Sequence, residues 1–200
     1  FMWFGTEEGL NRFDGEHFSA FFKRADGRGL PNDHVTQLIA VPGHRLLIGT
    51  EKGLCTLNTR SLEFQALLLP VPEEKKDKDQ IILALHLDKK GAVWVATNAG
   101  VYLLDNQLRL SGSYFQPKQS AEKGVVFFVT DFFDLPDGRV ASKCVMAPNT
   151  AGTSWQIIDF INQKTTLLEQ LIPGCGVLDT ALIPASISSD GRNNFWYTAL

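Results

Sequence analysis

Residues 3–10 read WFGTEEGL, and the same pattern returns as LIGTEKGL at 47–54 and as WVATNAGV at 94–101. The copies follow one another at intervals of 44 and 47 residues. A period of roughly 40 to 50 residues is typical of β-propeller blades, each of which is a small antiparallel sheet. The chain is therefore a repeat protein, and we expect its function on the ends and rims of a repeated scaffold.

Each copy predicts a β-hairpin inside its unit. A short apolar run suits a largely buried strand, and a small residue and a threonine end it. After two polar residues a glycine is expected to take positive φ in the turn, namely Gly9, Gly53 and Gly100. Further apolar runs flank each copy, and no window shows sustained helical periodicity. We predict an all-β fold, a β-propeller segment of about four blades with four antiparallel strands per blade.

The fourth unit keeps the spacing of the repeat, but other residues stand at its characteristic positions. Ala141 stands 47 residues after Trp94, where a tryptophan is expected, and a fifth copy includes Trp196. The resulting blade pieces are 1–22, 34–69, 79–110, 125–171 and 177–200. The first piece lacks an innermost strand, and residues 195–200 duplicate the place of residues 1–6. We therefore predict an open arc taken from a larger ring of roughly six to eight blades.

Residues that recur once per blade are predicted to pack between blades rather than to bind a ligand. Three tryptophans share one repeat position, and we expect Trp3 and Trp94 to be interior. The set assigned to the structural repeat is Trp3, Gly5, Thr6, Gly9, Gly49, Thr50, Gly53, Trp94, Thr97, Gly100 and Trp196.

The run GLPNDHV at 29–35, followed by a strand, a turn and the copy at 47–54, resembles the two-component regulator propeller repeat of bacterial hybrid histidine kinases. The similarity is close at 2–15 and extends over the whole chain. It is weak from residue 125 onward, where Ser142-Lys143-Cys144 interrupts the Trp-x-Gly-Thr pattern.

This resemblance implies a periplasmic sensor region of an inner-membrane hybrid two-component histidine kinase. In that family two propellers and an immunoglobulin-like domain precede a membrane helix, a kinase, a receiver and a DNA-binding domain, and many members respond to breakdown products of polysaccharides. The implied partners are an oligosaccharide ligand, the rest of the propeller, the membrane-proximal domain and a second copy in a homodimer. The domains for phosphorelay and transcription regulation lie outside these 200 residues.

Composition narrows the function classes. The chain is 44% hydrophobic and 20% charged, with a formal net charge of −3, and it has no basic cluster of the kind that binds nucleic acid. Direct binding of DNA or RNA by this segment is therefore not expected. Cys55, Cys144 and Cys175 are an odd set without CxxC spacing, which argues against a zinc site and a complete disulfide framework. Cys55 and Cys144 fall in strand runs and are expected to be buried thiols.

Two places are candidates for ligand contact. Arg24 and Arg28 belong to the run KRADGR in the connection between the first two blades, where its three cations suit an acidic sugar or uronate. A plain surface loop is the alternative. Trp155 follows an enlarged loop at 146–153, and an aromatic face suits a sugar, although alternation with Ile157 along a strand favours core packing.

The sequence predicts no catalytic residue, metal site or cofactor. The four histidines show no i, i+4 pairing, and no Gly-x-Ser-x-Gly motif, phosphate-binding loop or dinucleotide fingerprint is present. The histidines are His17, His34, His44 and His86. A segment without enzyme activity is therefore the preferred hypothesis. The alternatives are a propeller-fold polysaccharide lyase or glycosidase with distant carboxylates at the channel mouth, and a protein interaction scaffold.

Overall fold

A computed structural model describes residues 1–76, 79–115, 126–135, 137–147, 153–167, 184–189 and 195–199. The strands are β1 (Met2–Thr6), β2 (Gly9–Phe13), β3 (Phe18–Phe21), β4 (Val35–Val41), β5 (Arg45–Thr50), β6 (Gly53–Asn58), β7 (Phe64–Leu67), β8 (Ile82–Leu87), β9 (Val93–Thr97), β10 (Val101–Leu104), β11 (Leu110–Tyr114), β12 (Val126–Asp134), β13 (Val140–Ala147), β14 (Thr153–Asp159), β15 (Lys164–Leu167), β16 (Pro184–Ser189) and β17 (Phe195–Ala199). A short 3-10 turn at Glu73–Lys75 is the only helical element in these ranges, and no helix there is long and apolar enough to cross a membrane. The predicted all-β class is confirmed.

The strands form five sheets in chain order, and each sheet is an antiparallel meander. The first sheet contains β1–β3, the next three contain β4–β7, β8–β11 and β12–β15, and the last contains β16–β17. These are the blade-like sheets expected of a propeller segment. The third sheet ends with Leu110–Tyr114, so it extends past the boundary expected at residue 110.

Ring closure is not seen among the described strands. A closed four-bladed ring would require residues 177–188 to pair with residues 1–6. Within the described ranges β1 pairs only with β2, and β16 pairs only with β17. Residues 177–183 lie outside those ranges.

The first four sheets pack face to face, each against the next, through apolar cores. On β5, Leu46 and Ile48 join the core shared with the first sheet, whereas Leu47 joins the core shared with the third. Successive side chains of a strand point to opposite faces, and here both faces are covered. Five of the six residues of this strand are therefore buried, instead of alternating between buried and exposed as in a sheet that is solvated on one face.

Two of the recurring glycines allow the next sheet to approach. A Cβ atom on Gly5 would lie 2.5 Å from Val35 Cγ1, and one on Gly49 would lie 2.5 Å from Ile82 Cγ2. Val35 and Ile82 are each the first residue of the innermost strand in the following sheet. These glycines are therefore required by the close packing of consecutive blades.

The recurring threonines close the hairpin turns. The hydroxyls of Thr6, Thr50 and Thr97 donate to the carbonyl oxygens three residues later, at 2.8, 2.9 and 3.0 Å. Gly9 and Gly53 have φ of 106° and 125°, as predicted.

The prediction of positive φ was wrong for Gly100, which does not adopt it. A Cβ atom on Gly100 would lie 2.6 Å from both the Tyr114 carbonyl oxygen and Phe115 Cδ1. A glycine is needed here because β11 and the residue after it pass close by, and not because of the backbone conformation.

A second recurring turn continues into the fourth sheet. At the turn between the third and fourth strands of a blade, one side-chain oxygen accepts two backbone amide hydrogen bonds. The residues that do so are Asp14, Asn58, Asp105 and Asp159. Such turns form when a short polar side chain bonds to the backbone just ahead of it. The repeat therefore persists where the Gly-Thr pattern is lost.

Candidate functional site

The repeat tryptophans are not equally buried. Trp94 is 8% exposed, its Nε1 donates to Asp88 Oδ2 at 3.0 Å, and its ring lies 5.8 Å from Phe132 of the fourth sheet. Trp3 is only half-buried against Phe21, because β1 is the edge strand of its sheet in the described structure. Trp196 lies on β17, and its side chain is outside the described part.

Trp155 lies in a core rather than at a surface. It is 6% exposed and packs with Leu135 and Ala141 on the face of the fourth sheet that points away from the third. Its Nε1 has no hydrogen-bond partner among the described residues. This tryptophan offers no open aromatic platform to a sugar in the described structure.

The connection after β3 folds into a compact surface loop. The Gly27 amide donates to the Arg24 carbonyl oxygen at 3.1 Å, and the Arg28 amide donates to Asp26 Oδ1 at 3.0 Å. That second bond, and then the charge of Arg24, lower the pKa of the Asp26 carboxyl. Leu30 closes the loop because its side chain is buried in the core between the first two sheets. The loop thus has a defined shape although its surface is exposed.

Two adjoining clefts lie beside this loop, with volumes of about 490 and 580 Å³. Arg28, Leu62 and Phe64 line both clefts. Arg24, predicted as a ligand contact, lines only the smaller one. The structure therefore brings the two predicted arginines to one surface region and leaves Trp155 elsewhere.

The cations of this region differ in their partners. Arg24 forms an ion pair with Asp26 at 3.2 Å. In contrast, the side chains of Lys23 and Arg28 make no hydrogen bond or ion pair to any described residue. The sequence grouped three cations, and the loop geometry leaves two of them available to a ligand.

The larger cleft also contains polar groups that the sequence analysis did not select. Asn58 and Gln65 line it, together with Arg45 and Glu63. Arg45 already donates to two backbone carbonyl oxygens, and Glu63 accepts a hydrogen bond from Ser61 at 3.0 Å. No sequence signal marks these residues, because they meet Arg28 only when the first and second sheets pack together.

The four histidines and the two described cysteines, Cys55 and Cys144, lie apart from one another or in ordinary pairs. His34 lies 3.2 Å from Glu51, and His86 lies 3.3 Å from Asp134 across the third and fourth sheets. In the described ranges no group of three or more histidine, cysteine or acidic side chains is arranged to hold a metal. Burial raises the pKa of the Cys55 thiol to about 12 and also raises that of Cys144, which disfavours the reactive thiolate. Cys175 lies outside the described residues.

No protein-family model matches the sequence, and no curated protein matches it either. The fold is similar to two crystal structures of the extracellular domain of BT4673 from B. thetaiotaomicron, described in one as a hybrid two-component system and in the other as a one-component system. The TM-scores are 0.65 and 0.68, and the sequence identities are 17% and 16%. Each match covers 98% of this chain but only 24% of the matched chain. At this identity the likeness shows the fold, and the chain spans about a quarter of the length of those domains.

Proposed function

We propose that the chain is an extracytoplasmic, ligand-sensing propeller segment of a two-component sensor, located on the periplasmic side of the inner membrane. The observation that carries this proposal is the likeness over 98% of the chain to an extracellular domain of a protein described as such a system. The segment itself carries no enzyme activity in this proposal. Its signal passes to a kinase elsewhere in the parent protein.

Signalling would follow from a shift between two arrangements of the sheets. A ligand changes such an equilibrium only by the difference between its affinities for the two arrangements. Neighbouring sheets share packed cores, so a change in the angle between two of them affects side chains on both. A ligand that contacts two sheets at once is therefore the kind that can transmit a signal here.

The remainder of the parent propeller is the proposed partner of the first sheet. Large apolar side chains lie on its open side, with Phe18 65% exposed and stacked on Phe13 at 4.6 Å. Phe4 lies 6.1 Å from the same Phe18 ring. An apolar face of this kind is typically covered by another protein surface. A further sheet would continue the packing seen between the other sheets, and a second copy in a homodimer is the alternative.

The proposed ligand is an oligosaccharide. The clefts beside Arg28 join exposed aromatic surface to polar side chains, and their volumes fall in the usual range of small-molecule sites. Titration calorimetry of the full chain against a panel of neutral and acidic oligosaccharides tests this function. Chromatography of the same mixtures after long incubation measures turnover.

Binding without cleavage is the expected result. Cleavage that is lost on substitution of one carboxylate would establish the lyase or glycosidase alternative instead. If no oligosaccharide binds, the proposed ligand class is wrong.

A further inference from the structure

We propose that the paired clefts between the first and second sheets bind a carboxylated oligosaccharide, and that Arg28 binds its carboxylate. The sugar part of this inference rests on the proposed function. The carboxylate part rests on the charges and hydrogen bonds of the site itself.

Arg28 occupies the centre of the site. It lines both clefts, so a group bound to its guanidinium can extend into either of them. The two clefts share Arg28, Leu62 and Phe64 in their linings, so they meet at these residues. Two adjoining clefts with a cation where they meet fit a short oligomer that bears a charge on an inner sugar.

The available charge is positive. The side chains of Lys23 and Arg28 make no hydrogen bond or ion pair to any described residue, whereas Arg24 forms an ion pair with Asp26 at 3.2 Å. Asp26 also lies within electrostatic reach of Arg28, whose amide hydrogen bond and, to a lesser extent, charge help to lower the pKa of that carboxyl. Glu63, the acidic residue in the lining of the larger cleft, accepts a hydrogen bond from the Ser61 hydroxyl. A guanidinium forms two parallel hydrogen bonds to a carboxylate, which selects such an anion by geometry as well as by charge.

The loop holds the Arg28 backbone in place before a ligand arrives. Asp26 accepts the Arg28 amide, and Leu30 anchors the following residues in the core. Between them, Gly29 has no room for a Cβ atom, which would collide with the Phe22 carbonyl oxygen. A site on a pre-ordered loop loses less conformational entropy on binding.

The two clefts that Arg28 lines differ in the side chains that they offer. Phe22 lines the smaller cleft and is 50% exposed, while Asn58 and Gln65 line the larger one. A pyranose presents C–H groups on its faces and hydroxyls at its edge. The exposed ring and the amides therefore offer suitable contacts to the two sugars beside a central uronate.

The test is titration calorimetry of the full chain with trigalacturonate, triglucuronate and the methyl ester of each trimer. The esters keep the sugars and remove the charge. Inorganic phosphate is included as a plain anion. The variants are Arg28→Gln, Arg28→Lys and Lys23→Gln, with Lys89→Gln as the matched control, because Lys89 is an exposed cation that lines neither cleft.

We expect at least one acidic trimer to bind more tightly than its ester and to bind less tightly as salt screens the charges. Arg28→Gln should weaken that binding about tenfold, as for loss of one charge-assisted pair. Arg28→Lys should have a smaller effect, because lysine keeps the charge but loses the planar pair of N–H donors that matches a carboxylate. Lys89→Gln should bind as the unmodified chain does.

Equal binding of acid and ester, or an unchanged affinity in Arg28→Gln, would overturn the carboxylate site while leaving oligosaccharide sensing intact. Phosphate that competes fully with the trimers would replace the inference by a general anion site. If no saccharide of any charge binds, both this inference and the proposed ligand class fail.

Discussion

The third and fourth sheets each have a buried tryptophan on the face away from the preceding sheet, but the two tryptophans lie on different strands. In the third sheet Trp94 on β9 fills the space toward the next sheet. In the fourth, Ala141 has the corresponding place on β13, and Trp155 on the neighbouring β14 supplies the bulk on that face. In these two sheets a tryptophan fills the same face from different strands, because close packing requires the space to be filled but not by a particular strand.

The two tryptophans differ in their polar atoms. Trp94 Nε1 donates to Asp88, whereas Trp155 Nε1 is buried and has no partner in the part of the chain that the structure describes. A buried donor without a partner reduces what the ring contributes. Four sets of substitutions test this comparison and the contacts and turns that the sheets share.

Trp94→Ala should have the largest effect. It removes a buried ring and its hydrogen bond, and such truncations cost about 3 to 5 kcal/mol in the free energy of unfolding. Urea denaturation followed by circular dichroism measures the loss. A loss below about 1 kcal/mol would show that Trp94 does not carry the contact between the third and fourth sheets.

Trp155→Ala should cost about 2 to 4 kcal/mol, because the same bulk is lost but no hydrogen bond is broken. The double variant Ala141→Trp with Trp155→Ala should regain part of this stability, since both positions belong to one core. The same denaturation assay compares the three proteins. If the double variant is no more stable than Trp155→Ala, the two strands are not interchangeable in this role.

Gly49→Ala should cost about 1 to 3 kcal/mol, because the new methyl group overpacks against Ile82. Gly5→Ala is the matched control, with the same 2.5 Å approach to Val35. It should cost less, because β1 is the edge of its sheet in the described structure and can move aside. Thermal unfolding of both variants tests this order, and a larger loss for Gly5→Ala would contradict it.

Asp105→Asn and Asp159→Asn should have the smallest effects, visible mainly in acid. Hydrogen bonds from the amides of Arg109 and Asn162 are the largest causes that lower the pKa values of these carboxyls below the ordinary 3.8. The stability that they contribute is therefore present above pH 3.8 and is lost as pH falls through the lower folded-state pKa values.

Asparagine keeps the accepting oxygen without a charge, as Asn58 does in the second sheet. Each variant should thus lose less stability than the unmodified chain between pH 5 and pH 3. Denaturation curves at several pH values measure this. An identical pH dependence in variant and unmodified chain would mean that the turn carboxyls do not contribute to it.

The sequence predicted the all-β class and the order of the strands because apolar runs and turn residues are local signals. It did not predict the turn residues Asp105 and Asp159, since one acidic residue per blade has no distinctive pattern. It assigned positive φ to Gly100 by analogy with Gly53, whereas the close passage of Tyr114 and Phe115 is what requires glycine there.

Only the arginines of the candidate site were predicted from the sequence, because they are neighbours along the chain. The sequence indicated Arg24 and Arg28 together because they belong to one charged run. The structure separates them, because Arg24 forms an ion pair with Asp26 whereas Arg28 forms none with a described residue. Phe64 and Asn58 reach the same region from a different sheet. Residues distant in sequence meet only through packing, so a single sequence contains no sign of their proximity.

The repeat could be predicted from the sequence, because period, alternation and turn chemistry are properties of neighbouring residues. Which side chains remain available to a ligand depends instead on how the sheets pack. Trp155 is buried in a core and Arg24 is paired with Asp26, whereas Arg28 lines two clefts. Burial and pairing depend on the contact of one sheet with the next, and that contact is fixed by the shape of whole faces rather than by any local motif.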